Sequence, residues 1–102
     1  KPAKRQINKK QQRQQEAQRR QRLKPLLDKV RDIEKQLAGK RSELDAVEQG
    51  LGDESIYSDP ERKDELTGLV KNQATLKATI GTLEWDWMEA SEAVEKAGDP
   101  AQ

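Results

Sequence analysis

Nine cations near the start of the sequence carry its clearest chemistry: Lys4, Arg5, Lys9, Lys10, Arg13, Arg19, Arg20, Arg22 and Lys24. They are interleaved with seven glutamines, and both residue types donate hydrogen bonds to the phosphate and sugar oxygens of a nucleic acid. Counting Lys1, residues 1–24 carry a net charge of +9 and residues 25–102 carry −8, an asymmetry that the overall value of +1 conceals. Such a split reads as a basic arm on a mildly acidic body. The expected ligand of the arm is DNA or ribosomal RNA, held mainly through its backbone. A solvated linker is the competing reading. In a hairpin, Lys24 falls near Glu89 and Arg20 near Glu92 to Glu95, whereas Lys1 to Arg13 have no such internal partner.

Other chemistries find little support. With no cysteine and no histidine there is no disulfide framework, zinc finger, thiol nucleophile or imidazole base. Gly39-Lys40-Arg41-Ser42 echoes a phosphate-binding loop but lacks the upstream glycine and lies inside a helical pattern. Asp64 with Glu65, and Glu89 with Glu92, read as solvated helix faces with no cavity to shift their protonation. Asp53, Glu54 and Asp59 lack the alternating spacing of a calcium loop. No catalytic residue, metal site or cofactor site is expected in this chain. No apolar run approaches the roughly 18 residues of a membrane span. A sequence opening on Lys1 is expected to be a piece of a longer protein.

These side chains need elements to position them. Only 31% of the residues are hydrophobic and 38% are charged, so a wide core is excluded, but a narrow seam is not. A 3,4 spacing runs through Leu23, Leu26, Val30, Ile33, Leu37, Lys40, Leu44, Val47 and Leu51. A second runs through Leu66, Leu69, Gln73, Leu76, Ile80, Leu83, Trp87, Ala90, Val94 and Ala97. Between them, Gly50 to Pro60 is rich in turn residues, with Ser58 or Asp59 placed to cap the next helix and a capping box offered by Ser58 and Glu61.

The expected fold is all-α. It is an antiparallel two-helix coiled-coil hairpin (helix about 25–50, tip about 51–59, helix about 60–97) preceded by the arm over 1–24, partly disordered or helical. Lys24-Pro25 is the expected boundary or kink, and Gly98-Asp99-Pro100 the expected end of the second helix. Matching the polar seam members Lys40 and Gln73 puts Leu44 beside Leu69 and Leu37 beside Leu76. Trp87 is expected in the core. Trp85 points away from the seam and is open both to stacking or docking on a partner and to packing against its own helix neighbours such as Glu89. Tyr57 at the tip is likewise a docking candidate, with closure of the seam as the other reading. Ile56 is expected to close the seam at the tip. A monomeric hairpin is expected, although a thin seam can also pair between chains.

The basic run into Arg22-Leu23-Lys24-Pro25-Leu26, then Ile33-Glu34-Lys35, resembles the start of the C-terminal domain of ABC-F ATPases. So do Leu51-Gly52-Asp53 with Ile56-Tyr57, the Arg62-Lys63-Asp64-Glu65-Leu66 start, and Leu83-Glu84-Trp85-Asp86-Trp87-Met88-Glu89-Ala90. The likeness covers nearly the whole chain and is nearest the YheS-like branch, with Uup as a relative. It implies a cytoplasmic parent protein with two ATP-binding cassettes, acting on the ribosome in translation, and a coiled-coil extension associated in the Uup-like branch with DNA binding. ATP and magnesium would belong to those cassettes, and none of their motifs lies in this sequence. Two other arrangements share the hairpin pattern: a docking arm that contacts the parent's cassettes, and the coiled-coil arm of an RNA-modifying or tRNA-charging enzyme.

Overall fold

The structure is a computed structural model that describes residues 2–98, with side chains from residue 9 onward. It is an all-α helical hairpin. Helix α1 spans Pro2–Leu51, the short α2 spans Ser55–Ser58, a 3-10 turn covers Pro60–Arg62, and α3 spans Lys63–Gly98. No described helix is long and apolar enough to cross a membrane.

The two heptad patterns are the faces that leave solvent. Every seam residue from Leu23 to Leu51 is buried or half-buried, and Ile33, Leu37 and Val47 are the most covered. On α3 the same holds for the seam from Leu66 to Ala97, with one departure. Trp87, expected in the core, is 37% exposed. A two-helix seam is one side chain wide, so a residue as large as tryptophan overhangs it. Trp85, at 62% exposure, lies on the outer side as its spacing predicts.

The chain forms two compact units. One holds residues 32–87 and includes the tip; the other joins the part of α1 up to Arg31 to the part of α3 from Met88. In the first, the tip is built by capping. The amide of Gly52 donates to the carbonyls of Glu48 and Gln49 at 3.0 and 3.1 Å, which tightens the last turn of α1. Ile56 then drops into the seam at 1% exposure, the most buried side chain of the described residues. Asp59 caps the 3-10 turn by accepting from the Glu61 amide at 3.0 Å, with Pro60 following it. The Ser58–Glu61 capping box does not form; the Ser58 hydroxyl turns to the Ser55 carbonyl instead.

The register differs from the one that pairs Lys40 with Gln73. A Cβ on Gly50 would stand 3.2 and 3.6 Å from the two methyls of Leu69, the residue expected beside Leu44. Gly50 lies about 9 Å further along α1 than Leu44, so the helices are displaced by at least one seam step. One such step sets Val47 at Leu69, Leu37 at Ile80 and Ile33 at Leu83, pairing well-covered residues. Lys40 instead reaches Glu43 on its own helix at 3.2 Å. Lys40 thus finds its partner locally, and the two polar seam members do not set the pairing.

The second unit carries α1 across Lys24-Pro25. α1 passes through Pro25 without interruption, so the first long helix is not confined to residues 25–50. Pro25 is exposed, which leaves the Gln21 carbonyl, deprived of its usual amide partner, open to water. Leu23 and Leu26, half-buried on either side, hold the helical path across the proline.

Candidate nucleic-acid interface

Helical geometry sorts the candidate cations by direction. At about 100° per residue, Lys9, Arg13, Arg20, Lys24 and Arg31 fall within an arc of about 60° on α1. All five are exposed. They rise along the helix over about 33 Å, with steps of about 6 Å inside each close pair and about 10 Å between successive groups. Arg31 was not among the sequence candidates; continuing the 4,7 spacing across Pro25 is the signal that finds it. Lys10, also exposed, borders this arc about 40° beyond Lys24, whereas the exposed Arg19 and Arg22 point elsewhere around the helix. Lys4 and Arg5 lie on the span of α1, and their side chains fall outside the described residues.

Internal neutralisation touches two of these cations. The Arg19 guanidinium donates to the Gly98 carbonyl at 2.6 Å, closing the last turn of α3, where a cation also meets the negative end of the helix dipole. Arg20 pairs with Glu16 on its own helix at 3.6 Å, with both side chains mostly exposed. Among the described residues Arg20 makes no ion pair with Glu92 or Glu95, and Lys24 makes none at all. Lys9, Arg13, Lys24 and Arg31 are therefore available to an external anion.

Beside the ladder, Leu23 and Leu27 floor a shallow open depression of about 370 Å³, rimmed by Arg20, Lys24, Asp28 and Arg31. Its openness suits a large ligand lying across it rather than a small molecule enclosed within it. No aromatic residue precedes Tyr57, so α1 has no ring on which to stack an unpaired base.

The other candidates separate. Tyr57 is 60% exposed, and its hydroxyl donates to the Leu51 carbonyl at 2.5 Å, so its ring lies against the tip. Gly39 to Ser42, the echo of a phosphate loop, are in mid-helix. The strongest polar cluster was not legible in the sequence. Arg62 donates to Asp53 at 3.0 Å, to the Ser55 hydroxyl at 2.6 Å and to both carboxylate oxygens of Glu65 at 3.0 and 3.1 Å. Those bonds from Arg62 hold the Asp53 and Glu65 carboxyls below their usual range, with Ser55 assisting at Asp53. The two carboxylates push the guanidinium further toward its charged form. The cue available was an Asp-x-Ser turn followed by arginine with glutamate three residues on. Among the described residues no group of three acidic side chains is placed to hold a metal.

No protein-family model matches this chain, and no curated protein and no solved structure matches it either.

Proposed function

We propose that this chain is a non-catalytic nucleic-acid-binding element that grips the phosphate backbone of DNA or ribosomal RNA through the exposed face of α1. The observation that carries the reading is the ladder Lys9, Arg13, Arg20, Lys24 and Arg31, five exposed cations on one side of one uninterrupted helix. A flexible arm spends much of its binding energy on ordering, whereas a helical ladder presents its charges already spaced. The resemblance to ABC-F C-terminal domains supports the same reading. On that basis the element is an appendage of a cytoplasmic ATP-binding protein that works with the ribosome, with nucleotide chemistry confined to the cassettes.

Fluorescence anisotropy across a salt series tests the proposal. If the five ladder cations each neutralise one phosphate of a duplex, log K falls against log salt with a slope of about −4.5. Replacing Arg13, Arg20 and Lys24 with glutamine should reduce that slope by nearly 3. Replacing Arg22, which points away from the ladder, should reduce it less. Failure to bind duplex DNA or an RNA hairpin at low salt would overturn the reading. Binding unaffected by Arg13→Gln, Arg20→Gln and Lys24→Gln together would remove the ladder as its basis.

A further inference from the structure

Lys77 and Glu84 stand seven residues apart on α3, and among the described residues neither makes an ion pair or a hydrogen bond. Beside them runs an apolar strip that does not belong to the seam. It consists of Ala74, Ala78, Gly81 and Trp85, at spacings of four, three and four. At 100° per residue these four share an arc of about 60°. All are exposed, and a Cβ placed on Gly81 would meet nothing within 4 Å. Trp85, at 62% exposure, supplies a knob, and the three small residues supply a hole on the same helix. The flanking charges narrow the choice of partner. Glu84 and Asp86 repel phosphates, whereas an antiparallel copy of this same helix brings a lysine to each glutamate.

We propose that this strip is a self-association surface, on which α3 of a second copy lies antiparallel about a two-fold axis. Setting Ala78 opposite the partner's Gly81 is the register in which knobs and holes alternate. It places Trp85 over the partner's Ala74. In the same register Lys77 and the partner's Glu84 are offset by only about 3 Å along the axis. The symmetry repeats each contact, so two indole rings and two ion pairs enclose a centre of glycine and alanine. This goes beyond nucleic-acid binding and requires no nucleic acid. It also departs from the monomer that the heptads alone suggest.

Sedimentation equilibrium of the full 102-residue chain, without nucleic acid, tests the pairing. The interface is small and so the association is weak; dimer should accumulate between about 10 µM and 1 mM. Lys77→Glu, Glu84→Lys and Trp85→Ala should each weaken it about tenfold or more. The double exchange Lys77→Glu with Glu84→Lys should restore most of the loss. Gly81→Leu, whose side chain fits the open space of a single hairpin, should abolish it, with circular dichroism confirming the fold of every variant. A monomer throughout that range would overturn the proposal. So would a dimer indifferent to Gly81→Leu, or a charge exchange that fails to rescue.

Discussion

The tip and the N-terminal half of α1 are both rich in charge, and they use it in opposite ways. Around the tip, Asp53, Ser55, Arg62 and Glu65 are consumed by one another, and Ile56 is buried. Along Lys9 to Gln18, every residue is exposed and nearly every charge faces water. The same residue types thus build structure where each finds a partner nearby, and stay exposed to solvent where acids are scarce. Net charge alone does not distinguish the two. Local pairing does.

The sharpest break of this contrast is Ile56→Ala against Arg13→Ala. Emptying the most buried side chain should cost about 2–4 kcal/mol in urea denaturation. Arg13→Ala should change stability by less than about 0.5 kcal/mol while weakening polyanion binding. Equal losses would mean that the exposed half of α1 is as structural as the tip.

A smaller effect comes from Arg62→Ala, which frees both carboxylates and the Ser55 hydroxyl. Because Asp53 and Glu65 titrate below their usual range in the folded chain, their contribution is complete above the ordinary carboxylate pKa. It is lost as pH falls through the depressed values. Wild type should therefore lose thermal stability on acidification into that range, and the variant should start lower and lose less. Parallel pH profiles for the two proteins would show that the cluster does not couple to folding.

The smallest effect sharpens the register. Gly39 has nothing within 4 Å of a Cβ, so Gly39→Ala should stabilise by about 0.5–1 kcal/mol through helix propensity. Gly50→Ala should gain less, because Leu69 must give way at 3.2 Å. Equal gains at the two sites would refute the close approach of Leu69 to Gly50.

Much of this was legible beforehand, and the failures share a cause. The seam residues could be read because burial follows the 3,4 period, and Ile56 because an apolar residue at a tip has one place to go. Pro25 does not end the helix because a local preference of proline yields to the half-burial of Leu23 and Leu26 on both sides of it. The Lys40–Gln73 pairing failed because a lysine in a half-buried position can reach a glutamate one turn away, so nothing forces polar layers together. Arg62 was missed because its partners lie on both sides of a turn whose path the sequence does not specify. For the candidate site, the list of cations was readable, but their direction was not. Arg19 and Arg22 separate from Lys9, Arg13, Arg20 and Lys24 only once the arm is known to be helical.

Pro25 has a further consequence for the time course of the molecule. With the Gln21 carbonyl lacking its amide, the helix holds one missing rung between Arg20 and Lys24 on one side and Arg31 on the other. Opening there needs no bond broken at that rung, so it should be the place where amide exchange and proteolysis begin within this stretch. An anion bridging Arg20, Lys24 and Arg31 would span the gap from outside. Bound ligand would then act as a splint, slowing exchange most at the residues flanking the proline.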